Sequence, residues 1–162
     1  SSVELKRTLR IKFSECINNQ LNYNYSENVI FLTQRVVAHC TIKLPKDKAI
    51  AFWSKIEPNW FSDELETYIT EDGQSITVAS KREQVAFSKA KVMRSIEEYK
   101  KCIEVCDNSL KMLKSCQWEP YFINIKVGCL VAQGQYQDAI SMLNAAIAIK
   151  PEWHFYQTKS QI

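Results

Sequence analysis

The sequence predicts an all-α fold made of helix pairs that pack side by side. Apolar residues recur at helical spacing over most of the chain. Glycine is scarce, with three residues in 162 and none before Gly73, whereas sheet-rich domains use glycine in their turns. A segment near the C-terminal end also has an upstream copy at an offset of 37 residues, and helix pairs that recur in this way normally pack on one another.

The clearest helix pair occupies residues 121–151. Gly134 suits a tight turn between its helices because glycine tolerates positive φ, and Pro151 ends the second helix. We expect the first helix to bury a face composed of Tyr121, Ile125, Gly128, Cys129 and Ala132. We expect the second helix to bury Tyr136, Ala139, Met142, Leu143, Ala146 and Ile149. The small Ala139 and Ala146 share one face, so another helix can approach closely there.

An upstream copy of this pair lies 37 residues earlier. Matched positions keep size and polarity, as in Tyr99 and Tyr136, Cys102 and Ala139, Ser109 and Ala146, Ala90 and Val127, and Met93 and Leu130. We expect its two helices at residues 82–95 and 97–113.

The better pair resembles the pattern of the tetratricopeptide repeat family at Gly134, Tyr136, Ala139, Ala146 and Pro151. In the upstream copy, Glu97 stands where the turn glycine falls. The family's unit spans roughly 34 residues, and the surplus here fits a longer connection near residues 115–119. The resemblance covers residues 79–162 and implies a right-handed stack of antiparallel helix pairs (a TPR-like α-solenoid) with a concave face that binds peptides.

We expect residues 79–162 to form the helix pairs and residues 1–78 to form an irregular helical half or cap, together in one continuous domain. In the first part, periodicity predicts helices at residues 3–21 and 29–42 with a polar loop between them, and a strand is the lesser alternative for the first segment. The chain lacks an initiator Met and ends inside an expected helix, so we expect the parent protein to be longer.

Prolines divide residues 45–78 into short elements. We expect Asp47 to cap a short helix that Pro58 stops. We expect Ser62 to cap a further helix with an apolar side formed by Phe61, Leu65, Tyr68 and Ile69. Residues 71–74 carry a turn signal that two short strands could flank. We expect a loop there instead, because a lone two-stranded hairpin is only marginally stable.

The motifs expected of an enzyme or a metal site are absent from the sequence. His39 and Cys40 are adjacent, so on a helix they face different ways and cannot form a nucleophile with its base. The cysteines at positions 102, 106 and 116 lack the paired spacing of a zinc site, and three scattered glycines make no phosphate-binding loop. We therefore expect no catalytic residue, metal or cofactor. A hydrolase or transferase with a site between the two halves is the least favoured reading.

Composition is that of an ordinary globular domain, with 46% apolar residues, 24% charged residues and a net charge of +3. No apolar run reaches the roughly 18 residues that span a bilayer, so we expect no membrane partner. The six cysteines fall largely on apolar faces rather than in a disulfide framework. Free thiols indicate a reducing compartment, cytoplasmic or nuclear.

Basic residues cluster on two predicted helices. One set is Lys6, Arg7, Arg10 and Lys12, and the other is Lys81, Arg82, Lys89, Lys91 and Arg94. If the two sets adjoin, they form a positive strip that suits an acidic peptide or a phosphate backbone. The alternative is a solvated surface that neighbouring acids offset.

The resemblance to the repeat family implies the residues of the concave face. From the first unit these are Gln84, Phe87, Lys91 and Arg94, and from the second Tyr121, Asn124, Gly128 and Val131. Aromatic surface, amides and cations suit an extended or helical peptide of acidic character. A neighbouring helix that fills the groove is the alternative. Tryptophans at positions 53, 60, 118 and 153 either anchor an interface or pack between helices.

The function that these features favour is protein–protein interaction. We expect a scaffold or adaptor domain of a larger intracellular protein that binds a peptide or partner helix. An RNA-binding helical repeat that uses the basic strip is the alternative function.

Overall fold

The computed structural model describes Phe31 and residues 45–162. The expected helices at residues 3–21 and 29–42, the pair His39 and Cys40, and the first basic set lie outside the described residues, with Phe31 the one exception.

Six α-helices, one 3-10 turn and two strands make up the described part of the chain. They follow the order α1 (Lys46–Trp53), the 3-10 turn (Pro58–Trp60), β1 (Glu66–Ile69), β2 (Ser75–Val78), α2 (Lys81–Ser95), α3 (Tyr99–Met112), α4 (Glu119–Ala132), α5 (Tyr136–Ile149) and α6 (Trp153–Lys159). The expectation of a mostly helical chain is confirmed for these residues, although the two strands form a small sheet.

The two expected helix pairs are α2 with α3 and α4 with α5. Helices α3 and α5 both begin and end 37 residues apart, and so do the C-terminal ends of α2 and α4. Three-residue connections join the helices of each pair, so the chain reverses direction as in an αα-hairpin. Each helix from α2 to α6 packs on the next one, and α2 also packs on α4. The two pairs are therefore neighbours in space.

The turns inside the two pairs share one geometry. In the first, the Glu98 N–H donates to the Met93 carbonyl at 2.8 Å, and in the second the Gln135 N–H donates to the Leu130 carbonyl at 2.9 Å. A hydrogen bond of this kind closes the C-terminal end of a helix, and the residue just before its donor has a left-handed conformation. That residue is Gly134 (φ 74°) in the second pair and Glu97 (φ 64°) in the first. The first pair thus has the same turn, although its left-handed residue is a glutamate and this conformation is unfavourable for residues with a Cβ.

Exchanging these two turn residues tests the shared geometry. Glu97→Gly is expected to stabilise the fold by about 1 kcal/mol, because it removes the Cβ that makes positive φ costly. Gly134→Glu is expected to destabilise it by a similar amount. Urea unfolding followed by circular dichroism measures both variants. A loss of stability in Glu97→Gly would contradict the assignment of strain to this residue.

Two hydrophobic clusters meet at α4. The first cluster lies among α1, α2, α3 and α4 and contains Trp53, Val85, Phe122, Ile125 and Cys129, among others. The second contains Val127, Leu130, Ala139, Leu143, Ala146 and Phe155. Because α4 contributes to both clusters, it is buried on two sides instead of the single face expected from the sequence.

The burial expected for the second pair is partly wrong. Ala139 and Leu143 are fully buried and Ala146 nearly so, which confirms the close-packed small residues. Tyr136 and Ile149, at the two ends of α5, are exposed, as are Tyr121 and Ala132 at the ends of α4. These end residues follow the helical spacing of the buried face. They are exposed because they extend past the neighbouring helix.

Residues 54–80 differ most from expectation. Ser62 caps no helix; its Oγ accepts a hydrogen bond from the Glu64 N–H within a short turn. Strands β1 and β2 form an antiparallel hairpin in which Tyr68 is opposite Ile76, so the expectation of a loop is wrong. Four of the eight strand residues are β-branched Thr or Ile, and another is Val, and such side chains favour strands. Gly73, at φ 80°, completes the turn.

Helix α1 begins at Lys46, ahead of the expected Asp47 cap, and ends at Trp53, five residues before Pro58. Pro45 occupies the N-cap position and no side chain caps the helix, so the expected Asp47 cap is wrong. Asp47 lies within the first turn, where a carboxylate favours the positive end of the helix dipole.

Two carboxylates hold the longer connection between the pairs, which covers residues 113–118 and so begins earlier than the expected residues 115–119 and ends before Glu119. The Glu83 side chain is fully buried and accepts hydrogen bonds from the Trp118 N–H at 2.6 Å and the Cys116 thiol at 3.1 Å. Asp63 accepts from the Lys114 N–H at 3.2 Å. These bonds fix the start of α4 relative to α2.

Candidate functional site

The residues expected on the concave face lie on α2 and α4, two helices that pack on each other. We call this surface the α2/α4 face and define it by Gln84, Phe87, Lys91, Arg94, Tyr121, Asn124 and Gly128. The 37-residue register places these residues in matching positions on the two helices, because Gln84 corresponds to Tyr121, Phe87 to Asn124 and Lys91 to Gly128.

An aromatic cluster surrounds Phe87, which is half-buried. Its ring centroid lies 5.1 Å from Trp118, 5.4 Å from Phe122 and 6.3 Å from Tyr121, all with edge-on geometry. Edge-to-face packing at these distances is favourable for aromatic rings. Phe122 is fully buried, whereas Tyr121 is 54% exposed. The cluster therefore extends from the core to the surface.

Two cations lie on the same face, one beside this cluster and the other against Gly128. The Lys91 Nζ is 5.7 Å from the centroid of the Phe87 ring, within the range of a cation–π contact. The Arg94 guanidinium lies against Gly128, where a Cβ would come within 2.6 Å of Nη2. Both side chains are exposed, and neither forms an ion pair with a described residue.

The other three basic residues of α2 are partnered. Lys81 lies 3.5 Å from Glu66 and Arg82 lies 3.6 Å from Asp63. Lys89 is buried and donates to the Ile56 carbonyl at 2.7 Å. These three residues fit the alternative of a surface that neighbouring acids offset, because residues 56–66 pack on α2 and bring their own acceptors. The positive strip also needs the first basic set, which lies outside the described residues.

Helix α6 borders the face on the side of α4. The His154 ring stacks on Tyr121 with centroids 6.0 Å apart and planes at 5°. The Thr158 hydroxyl donates to the Asn124 side-chain oxygen at 3.3 Å. Sequence reasoning missed both contacts, although the register offered a signal for Thr158, which lies 37 residues after Tyr121.

Not every expected residue joins the group. The Gln84 amide donates to the Ala79 carbonyl at 2.8 Å, so its donor is already used by the backbone. Val131 packs against the second hydrophobic cluster. The structure brings Phe87, Lys91 and Tyr121 together, sets Arg94 on Gly128, and links Asn124 to α6.

Two of the four tryptophans pack inside the described part of the chain and two are exposed. Trp53 is fully buried and Trp118 packs on Phe87, whereas Trp60 and Trp153 are 52% and 73% exposed.

The described cysteines are free thiols with little reactivity. Cys102, Cys106 and Cys129 are buried together where α3 packs on α4. Hydrogen bonding with Cys106 and burial raise the pKa of Cys102 to about 12. Burial and the Glu83 carboxylate raise the pKa of Cys116 to about 12. Thiolates are the reactive form, so the raised pKa values disfavour reaction at Cys102 and Cys116. Among the described residues, no group of three His, Cys, Asp or Glu is placed to hold a metal ion.

A cleft of about 270 Å³ lies between residues 50–58 and helices α2 and α3. Lys89 lines it and Lys91 is two residues further along α2, so the cleft and the α2/α4 face lie on different sides of that helix. The charged side chains of the cleft include an ion pair between Lys89 and Glu57 at 3.6 Å. Among the described residues that line the cleft there is no cysteine or histidine.

Gly128→Ala tests how the Arg94 guanidinium is held. Alanine in a helix interior is favoured over glycine by up to about 1 kcal/mol, and the atoms in its way belong to a flexible side chain. We expect unfolding by urea to show equal or greater stability, while Arg94 moves by about the width of a methyl group. A large loss of stability would show that the guanidinium is held rigidly over Gly128.

Within the described ranges, no helix combines the length and the apolar character needed to cross a membrane. Comparison of the chain with protein-family models, with curated proteins and with solved structures gives no match, so the resemblance to the tetratricopeptide repeat family stays a prediction from the residues.

Proposed function

We propose that this chain is a protein–protein interaction domain, a scaffold or adaptor, which binds an acidic peptide or partner helix on the α2/α4 face. One observation carries the proposal. Lys91 and Arg94 are exposed cations without an ion pair among the described residues; Lys91 lies next to the Phe87 ring of the aromatic cluster, and Arg94 lies against Gly128 on the same face.

The chemistry of the face favours a carboxylate beside an apolar group. Tyr121 and Phe87 offer ring surface that a partner's apolar side chain can cover, and aromatic residues and arginine are enriched where binding energy concentrates. A guanidinium pairs well with a carboxylate because its donors match the two oxygens. An acidic and apolar segment therefore finds both of its requirements within two turns of α2.

Helix α6 is placed at the border of this face. It contacts Tyr121 and Asn124 and leaves Lys91 and Arg94 exposed. The side of the face formed by α2 is therefore open to a partner.

RNA binding has less support. A basic strip needs several unpaired cations, because each phosphate contact adds to the affinity, and three of the five basic residues on α2 are already partnered. The buried free thiols of Cys102, Cys106 and Cys129 support a reducing compartment, cytoplasmic or nuclear.

Binding to an array of short peptides tests the proposal. The array varies acidic, basic and apolar residues, and it is incubated with the wild-type chain, with the Lys91→Glu, Asn124→Ala double variant, and with Lys111→Glu. Lys111 is exposed on α3, so its reversal changes the net charge equally without touching the face. We expect the wild type and Lys111→Glu to bind acidic peptides, and the double variant to lose about tenfold or more in affinity.

Equal binding by the double variant would show that the α2/α4 face is not the site. A single-stranded RNA oligonucleotide at low salt provides the other arm. Binding to RNA that falls steeply with added salt would favour the nucleic-acid function instead.

A further inference from the structure

The hairpin of β1 and β2 stands out from the surface of the domain. Residues 67–69 and 71–77 are all exposed. Tyr68 and Ile76 are opposite each other across the two strands and are 55% and 48% exposed, and Ile69 is 79% exposed. Exposed patches of large apolar side chains are uncommon in a surface that stays in water. An isolated two-stranded hairpin is also only marginally stable.

The base of the hairpin is held firmly. Glu66 lies 3.5 Å from Lys81, and Asp63 lies 3.6 Å from Arg82 while also accepting from the Ser80 hydroxyl at 3.3 Å. These contacts attach the base of the hairpin to the start of α2.

The hairpin region is strongly acidic. Residues 61–80 contain five acidic residues and no lysine or arginine. At the tip, Glu71 and Asp72 form no ion pair with a described residue. Like charges along exposed strands disfavour pairing with an identical hairpin. A partner that covers the apolar side chains of this acidic hairpin is therefore expected to carry positive charge.

We propose that the hairpin docks on the α2/α4 face of a second copy of this chain, an inference that rests on the proposed function of that face. The two surfaces are complementary in charge and in kind. The hairpin offers apolar Tyr68 and Ile76 with acids at its tip, and the face offers aromatic rings with Lys91 and Arg94.

The order of these groups also agrees. Tyr68 lies in β1, and Glu71 lies past the end of that strand, in the turn at the tip of the hairpin. Phe87 and Arg94 are seven residues apart on α2, which corresponds to about 10 Å. A hairpin that lies along α2 with Tyr68 near Phe87 therefore directs its acidic tip toward Arg94.

Sedimentation velocity of the full chain over a series of concentrations tests the proposal. The variants are Glu71→Lys with Asp72→Lys in the hairpin, and Lys91→Glu with Arg94→Glu on the face. All four residues are exposed, so circular dichroism should show unchanged folding. We expect the wild type to associate, each variant alone to weaken association by about tenfold or more, and added salt to weaken it further.

Mixing the two variants supplies the decisive result. The lysine tip of one variant then meets the glutamate face of the other, and the acidic tip of the second meets the unchanged face of the first. We expect the mixture to associate about as well as the wild type, and Lys111→Glu to associate like the wild type throughout.

A wild-type chain that stays monomeric at every concentration overturns the inference, and so does a mixture that stays dissociated. A monomer that still binds acidic peptides on the α2/α4 face would leave the proposed function in place. If only the hairpin variant loses association, and the face variant associates and binds peptides as the wild type does, both the docking proposal and the proposed function are overturned.

Discussion

Ala139→Arg is expected to unfold the second helix pair. Ala139 is fully buried in the cluster that also holds Val127, Leu143 and Phe155, and it lies on α5 where that helix packs on α4. An arginine there must displace packed side chains and bury a cation without a partner. Overpacking and charge burial together should cost at least about 4 kcal/mol. That is a large fraction of the roughly 5–15 kcal/mol by which domains are stable.

Ala145→Arg is the matched control. Ala145 lies on the same helix but is exposed, so the same substitution should change the free energy of unfolding by less than about 0.5 kcal/mol. Denaturation in urea, followed by circular dichroism, compares the two variants with the wild type. A cooperative transition of wild-type midpoint in Ala139→Arg would contradict the close packing of α5 on α4.

The helix pairs were predictable because local physics and an internal copy agree on them. Helical periodicity, the glycine at position 134 and the stop before Pro151 each indicate the same boundaries. The 37-residue offset then transfers those boundaries to the first pair, and it correctly marks Glu97 as the residue in the turn conformation of Gly134. When local signals and an internal copy agree in this way, helix boundaries can be predicted from the sequence.

The hairpin could not be predicted by the same reasoning. The expectation of a loop assumed that the strands would stand alone, but Asp63 and Glu66 tie the base of the hairpin to α2 through ion pairs with Arg82 and Lys81. Such tertiary support reinforces the strand preference of the β-branched residues, and its partners are 15 to 19 residues apart in sequence.

The composition of the site was predicted better than its charge. Phe87 lies close to both Lys91 and Tyr121, three residues that the family resemblance had placed on one face. The sequence cannot show that Lys89 is buried against the Ile56 carbonyl, because nothing in its residue type distinguishes it from the exposed Lys91. Nor does helical period reveal that α4 lies between two clusters, since period identifies one preferred face and not how many neighbours a helix has.

Two adjacent residues of α4 should separate the fold from the site. Phe122→Ala is expected to destabilise the chain by about 3–5 kcal/mol, the usual cost of removing a buried phenylalanine. Phe122 is fully buried in the first cluster, and its ring lies 5.4 Å from that of Phe87. Tyr121→Ala should cost roughly 1 kcal/mol or less, because Tyr121 is 54% exposed and its main loss is the stack on His154.

In peptide binding, we expect Tyr121→Ala to have the more direct effect of the two variants. Tyr121→Ala removes ring surface from the α2/α4 face and should weaken binding of an acidic, apolar peptide while urea unfolding stays near that of the wild type. Phe122→Ala removes the support beneath Phe87, so its effect on binding should follow the fraction of folded protein. Peptide affinity measured by isothermal titration at a temperature where both variants are folded decides between these outcomes. If Tyr121→Ala binds as the wild type does, the exposed aromatic surface of α4 takes no part in recognition, and the proposed site must shrink to the cations of α2.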